Sequence, residues 1–286
     1  MDKGLKQAST WCAERIEQFD SIADFRFTIE SRPLNKGWEN YSNDLHSVTN
    51  ESTRKWDGNV ASPQAAWDMA QAGYPEAVKK AQEYVTDELR KIGFMGEGKK
   101  AIPRNYYAGG SPNVTRAMLG LPRDMRQYHK EPSKVKTIHL AYQASYSCGN
   151  NLDDIMQAGA KVIALVQALE KLEYSVQLSV MNLENVSGIR GGFELKLKSY
   201  DNPLDIQKVA YFFAHPSFLR RIGFQWIERY PKYTEHDYGY GMPNDDKLLN
   251  NVRKWMEARG GHFVSFNEMK RMDLEQWLTD NNYLKN

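Results

Sequence analysis

The sequence predicts an α/β domain of three layers, a mostly parallel sheet with helices on both faces, preceded by a mainly helical N-terminal segment. Three observations carry this. Residues 137–142 (TIHLAY) form an apolar run of strand length. A long amphipathic stretch follows, in which Ile155, Met156, Val162, Ile163, Val166, Leu169 and Leu172 supply a broad apolar face. Residues 175–180 (SVQLSV) then alternate cleanly, as a second strand does. Strand, helix and strand with short connections make a βαβ unit, parallel and right-handed.

In chain order, residues 1–98 read as the helical segment. Ser62-Pro63 suits an N-cap with proline in the first turn, and Ala65, Ala66, Met69 and Ala70 follow at helical spacing. Gly73-Tyr74-Pro75 breaks that helix, and a second carries Val78, Ala81, Val85 and Leu89 before stopping at Gly93. Arg54-Lys55-Trp56-Asp57-Gly58 between these regions reads as a turn. Residues 99–132 form a basic connector punctuated by glycine, and residues 133–286 form the α/β domain. In that domain Asn150 or Asn151 caps the long helix, with Asp153 and Asp154 at its positive end. A glycine-containing turn at 187–192 leads to Phe193-Glu194-Leu195-Lys196-Leu197-Lys198, whose strict alternation suits an edge or antiparallel strand. Further helices are expected after Asp201-Asn202-Pro203, over 218–227, over 245–259 and near 269–278, with a short strand at 262–266.

With 41% hydrophobic and 26% charged residues the chain has an ordinary soluble composition. No apolar run approaches the roughly 18 residues of a membrane span, and the N-terminus lacks the apolar block of a signal peptide. Only Cys12 and Cys148 occur. The expectation is a protein of the cytoplasm, without membrane partners and without disulfides.

The net charge of +2 hides an asymmetry. Residues 99–136 hold nine basic residues against Asp124 and Glu131, a formal +7, which leaves −5 for the rest. Within this segment cations interleave with aromatic residues: Lys99, Lys100, Arg104, Tyr106, Tyr107, Arg116, Arg123, Arg126, Tyr128 and Lys130. Single-stranded nucleic acid is held by a positive groove plus aromatic faces on which bases stack, so these ten are the expected nucleic-acid-binding residues. A second run, from Arg220 and Arg221 to Arg229, Lys232 and Tyr233, has the same composition. No helix-turn-helix or zinc-finger pattern accompanies either run.

The strand at 137–142 ends in Gln143, with Ser145 and Ser147 following. A strand ending in Asp-x-Ser-x-Ser, then an amphipathic helix, then an alternating strand resembles the opening of a von Willebrand factor A-type domain. In that family the aspartate, both serines, and a threonine and an aspartate from later loops hold a divalent cation. The resemblance covers residues 133–182, and Gln143 stands where the family has aspartate. That replacement removes a negative charge from a site for a hard cation, so Gln143, Ser145 and Ser147 read as a vestigial metal site. Asp201 is the later-loop carboxylate to test. The Trp56-x-Gly58 turn, the basic connector and the βαβ unit together are similar to uncharacterised bacteriophage proteins.

No GxGxxG or P-loop pattern occurs, and the six histidines are scattered without metal-ligand spacing. Cys148 in the strand-to-helix turn, with His139 as a conceivable base, is the strongest nucleophile candidate, but nothing completes a triad. The sequence therefore predicts a non-enzymatic phage accessory protein without cofactor. It would bind single-stranded DNA or other nucleic acid in support of a replication or transcription machine, with a phage or host polymerase as a possible partner. The alternative is a protein-interaction or assembly module whose basic segment docks an acidic partner.

Overall fold

The computed structural model describes residues 3–40, 42, 46, 55–91, 104–106, 111–112, 114–120, 125–127, 136–234 and 239–284. The chain divides into two units, residues 1–94 together with 137–286, and residues 95–136. The first unit opens with α1 (Lys3–Ala13), β1 (Ile16–Phe19), α2 (Ile22–Ser31), α3 (Pro63–Ala72) and α4 (Pro75–Lys91). The second holds β2 (Arg104–Tyr106), β3 (Ser111–Pro112), α5 (Val114–Met118) and β4 (Met125–Gln127). The first then resumes with β5 (Lys136–Gln143), α6 (Leu152–Lys171), β6 (Tyr174–Val186), β7 (Ile189–Lys198) and α7 (Ile206–Ala214). A π-helix (Phe218–Gly223) runs directly into α8 (Phe224–Arg229), and α9 (Asp246–Ala258), β8 (Gly261–Val264), α10 (Phe266–Arg271) and α11 (Leu274–Asp280) follow.

Five strands form one sheet in the order β1-β7-β6-β5-β8. β1 runs parallel to β7 and β8 parallel to β5, while β6 and β7 are antiparallel. Along β5 and β6, His139 meets Ser179 and Ser145 meets Leu183. Both chains advance together, so this pair is parallel too and the sheet is mostly parallel, as expected. β7 is antiparallel to its hairpin partner, as its alternation suggested, but it is not an edge. β1 covers it, with Ile16 opposite Gly192 and Phe19 opposite Leu195. Residues 1–94 accordingly belong to the same unit as the α/β core rather than standing before it.

Apolar layers cover both faces. Ala141, Met181 and Leu183 pack with Cys12 of α1 and Leu248, Val252 and Met256 of α9. On the other face Leu140, Tyr142, Val180 and Phe193 meet Ile163 and Val166 of α6 and Phe212 of α7. Local chemistry sets the ends: Ser62 accepts from Ala65 N–H, Asn151 from Asp154 N–H, and Asp245 from Leu248 N–H, each an N-cap. Asp205, not Asp201, caps α7. Only Ser187 (φ 49°) and Gly188 (φ 84°) form the β6–β7 turn, a two-residue hairpin loop that needs both in the left-handed region. Gly191 and Gly192 therefore lie inside β7. A Cβ on Gly192 would sit 2.1 Å from Asn182 O, so backbone fills that space.

In the second unit β2, β4 and β3 form an antiparallel sheet in that order. Arg104 pairs with Gln127, Asn105 with Arg126, and Tyr106 with Met125, while Ser111 pairs with Arg126 from the other side. Among the described residues of the chain, no helix is long and apolar enough to cross a membrane.

Candidate functional site

At the carboxyl end of β5, the vestigial metal position is closed by hydrogen bonds. Gln143 and Ser145 are fully buried, whereas Ser147 is exposed. Gln143 Nε2 donates to Ser145 Oγ (2.9 Å) and to Pro243 O (2.7 Å). Ser145 Oγ–H donates to Leu183 O (3.0 Å), and Leu183 N–H donates back to Ser145 Oγ (3.1 Å). Both lone pairs of the serine oxygen are thus occupied, and neither can ligate a cation. The glutamine amide nitrogen bridges Ser145 and Pro243 while its Oε1 is buried without a hydrogen-bond partner, and Ser145 ties β5 to β6. Asp201 is at the opposite end of the sheet, beyond Lys198, which pairs with Leu178 at the start of β6. The structure does not bring it to the serines. The nearby carboxylate is Asp245, which accepts from Asn185 Nδ2 and Arg190 Nε. Among the described residues, no cluster of His, Cys, Asp and Glu is placed to hold a metal ion.

The second basic-aromatic run is corrected by the structure. Arg220 and Arg221 sit on the π-helix, at 4% and 0% exposure, and Tyr233 is fully buried. Arg221 Nη2 lies 2.7 Å from Asp57 Oδ2 and donates to Val60 O (3.1 Å). Burial pushes the Asp57 carboxyl up to about 7, against the pull of Arg221 and Arg220. Arg220 donates to Trp56 O, and its Cζ lies over the Trp56 ring, 4.1 Å from the centroid. Beyond Arg221, His46 reaches Glu228 (3.1 Å), which also accepts from Ser42 Oγ and Tyr240 Oη. This chain of charges fastens the Trp56-Asp57-Gly58 turn to the π-helix. Its arginines are spent on protein oxygens, so they offer nothing to phosphate. The sequence signal for it was an Arg pair inside an apolar run, together with the W-x-G turn. The Arg pair binds protein oxygens and not nucleic acid, contrary to expectation.

His139 and Cys148 do not meet as base and nucleophile. Cys148 is exposed in the turn before α6, where Trp56 Nε1 donates to its carbonyl (3.4 Å). His139 is buried toward the α1/α9 layer, with Nε2 at 2.9 Å from Ser179 Oγ and 3.0 Å from Glu194 Oε1. Glu194 Oε2 accepts from Gln18 Nε2 (2.7 Å) and Arg259 Nη1 (3.0 Å). Burial raises this carboxyl, but His139, Arg259 and Gln18 outweigh it and hold it at about 2. Serine and carboxylate share one nitrogen of the ring, so the imidazole cannot relay a proton between them as a triad does. The cluster instead links β5, β6, β7, β1 and the C-cap of α9 beside a polar groove of about 340 Å³.

Of the ten expected nucleic-acid-binding residues, Arg104, Tyr106, Arg116 and Arg126 have described backbone in the second unit. Lys99, Lys100, Tyr107, Arg123, Tyr128 and Lys130 lie outside the described residues. The register puts positions 104, 106, 125 and 127 on one face of the small sheet and position 126 on the other. Sequence reasoning also passed over α5, where Val114, Met118 and Leu119 are 61%, 82% and 67% exposed.

No curated protein and no solved structure matches the sequence. A family model described as a domain of unknown function (DUF7192) matches residues 6–285, through both units, and the chain belongs to that family.

Proposed function

We propose that the unit of residues 95–136 binds single-stranded nucleic acid without reading its sequence. The observation that carries this is the formal +7 of residues 99–136, concentrated in a small unit built on its own antiparallel sheet. Such a density of Lys and Arg attracts polyanions and releases counterions from phosphate. Positions 104 and 106 fall on the same face of β2, and the segment's sequence mixes cations with aromatic residues, the two residue types that serve phosphate and base. The larger unit then acts as scaffold, and the protein serves as a non-catalytic accessory to a replication or transcription machine. We further infer that the scaffold is a degenerate von Willebrand factor A-type domain. Support comes from the β5–α6–β6 unit and from the position of Gln143, Ser145 and Ser147 at the end of β5.

Fluorescence anisotropy with short labelled oligonucleotides across a salt series tests the binding. Affinity should fall with salt at about 0.7 log units per log unit of salt for each phosphate contacted. Changing Arg104, Arg123 and Arg126 together to Ala should flatten that slope by about 2. Salt-independent binding, or a slope untouched by the triple change, refutes the proposal. An acidic protein docked by the same segment would instead survive nuclease treatment in a pull-down.

A further inference from the structure

We infer that the apolar stripe on α5 is the part of the basic unit that contacts nucleic-acid bases, so that binding has a base-dependent component beyond phosphate attraction. This rests on the binding proposed above and names the surface that meets the base. Val114, Ala117 and Met118 stand at i, i+3 and i+4, one face of a helix. Gly120, at φ +63°, ends the helix by donating to Ala117 O (3.1 Å), which leaves Leu119 in the final turn. All four side chains are exposed, Met118 at 82%. Single apolar residues on a surface need no explanation. Four within six positions, in a segment where nine cations face two acids, do.

The partner must offer phosphate and apolar surface within one short reach. A single strand does so, because unstacked base faces alternate with phosphates along it, whereas a duplex hides those faces. A lipid surface also combines anionic charge with apolar depth, but the binding of a helix to that interface scales with the apolar area it buries there. α5 has five residues. A flexible Met beside a Leu is suited to pack on bases of any identity, which agrees with binding that does not read sequence.

The test compares labelled oligothymidylate with an abasic strand of equal length, which keeps the phosphates and lacks the bases. The wild-type protein should bind the base-bearing strand about tenfold or more tighter. Met118→Ala with Leu119→Ala should abolish most of that preference while leaving the salt slope and the melting temperature unchanged. Equal affinity for the two strands, or a preference that survives the double variant, overturns this inference while leaving salt-dependent binding intact. Absence of salt-dependent binding to either strand overturns the function proposed above and this inference with it. Binding to phosphatidylserine vesicles that the double variant abolishes assigns the stripe to lipid and also overturns it.

Discussion

Glu194→Gln removes one charge from the centre of the sheet while keeping the side chain's shape. In the folded protein this carboxyl titrates near 2 instead of 4.5, which at 1.36 kcal/mol per pH unit stabilises the anion by about 3 kcal/mol. Arg259, one of its partners, is 31% exposed, so water screens its share and about 2–3 kcal/mol is the expected loss. The folded value lies below the unfolded one, so the stabilisation is complete above pH 4.5. It disappears as pH falls from 4.5 toward 2. The wild type should therefore exceed Glu194→Gln by about 2–3 kcal/mol at pH 7, with the gap roughly halved by pH 3 and the two curves converging near pH 2. Urea denaturation followed by circular dichroism at several pH values measures both quantities. A difference under about 0.5 kcal/mol at pH 7 would mean that Glu194 is no keystone. A gap that stays constant down to pH 3 would mean that its charge is not the reason.

Four other outcomes are expected. Arg221→Leu and Asp57→Leu should each cost about 3–5 kcal/mol, because each leaves a buried polar partner unmatched, a guanidinium in one case and a carboxyl that must take up a proton in the other. The double variant should cost less than their sum, and additive losses in a denaturation cycle would rule out the pair as a unit. Ser145→Ala should lose about 1–3 kcal/mol by cutting the tie between β5 and β6. Neither it nor the wild type should gain melting temperature in Mg²⁺ or Mn²⁺, and a wild-type gain would restore a working cation site. A thiol reagent should modify exposed Cys148 quickly, and Cys12, fully buried with its thiol pushed up to about 12, only after unfolding. Two thiols reacting together under native conditions would contradict the packing of α1. Gly192→Ala should cost about 3 kcal/mol, since its methyl would enter the Asn182 carbonyl, and near-wild-type melting would refute that register.

The elements that were legible from sequence carry a strong period or a named cap. β5, α6 and α9 fall within a residue or two of expectation because long apolar faces and Asn151 and Asp245 caps are local signals. β1 was missed because four residues, with only Ile16 and Phe19 buried, are too few to show alternation. β6 was read to Val180 and runs to Val186, since Asn182, Glu184 and Asn185 look like surface but are buried by the layers around them. The expected helix near 269–278 is two helices, because Asp273 caps a second one at Gln276 N–H. The π-helix was hidden inside the period of an ordinary helix, because six residues make little more than one turn, too few for its wider winding to show in the apolar pattern.

The two basic-aromatic runs show why charge in a sequence is ambiguous and what decides it. Arg220 and Arg221 stand among Phe218, Leu219, Ile222 and Trp226, so folding buries them, and a buried guanidinium demands protein oxygens in return. Asp57, Val60 O, Trp56 O and Asn150 O answer that demand. Residues 99–136 lack such an apolar frame, and their own acids, Asp124 and Glu131, can neutralise at most two of nine cations. The stripe of Val114, Met118 and Leu119 is likewise turned outward instead of building a core. An apolar stripe that stays exposed adds little to the stability of its segment. The ligand proposed above, which brings anions and apolar faces at once, would answer both the excess of cations in the sequence and the exposed stripe.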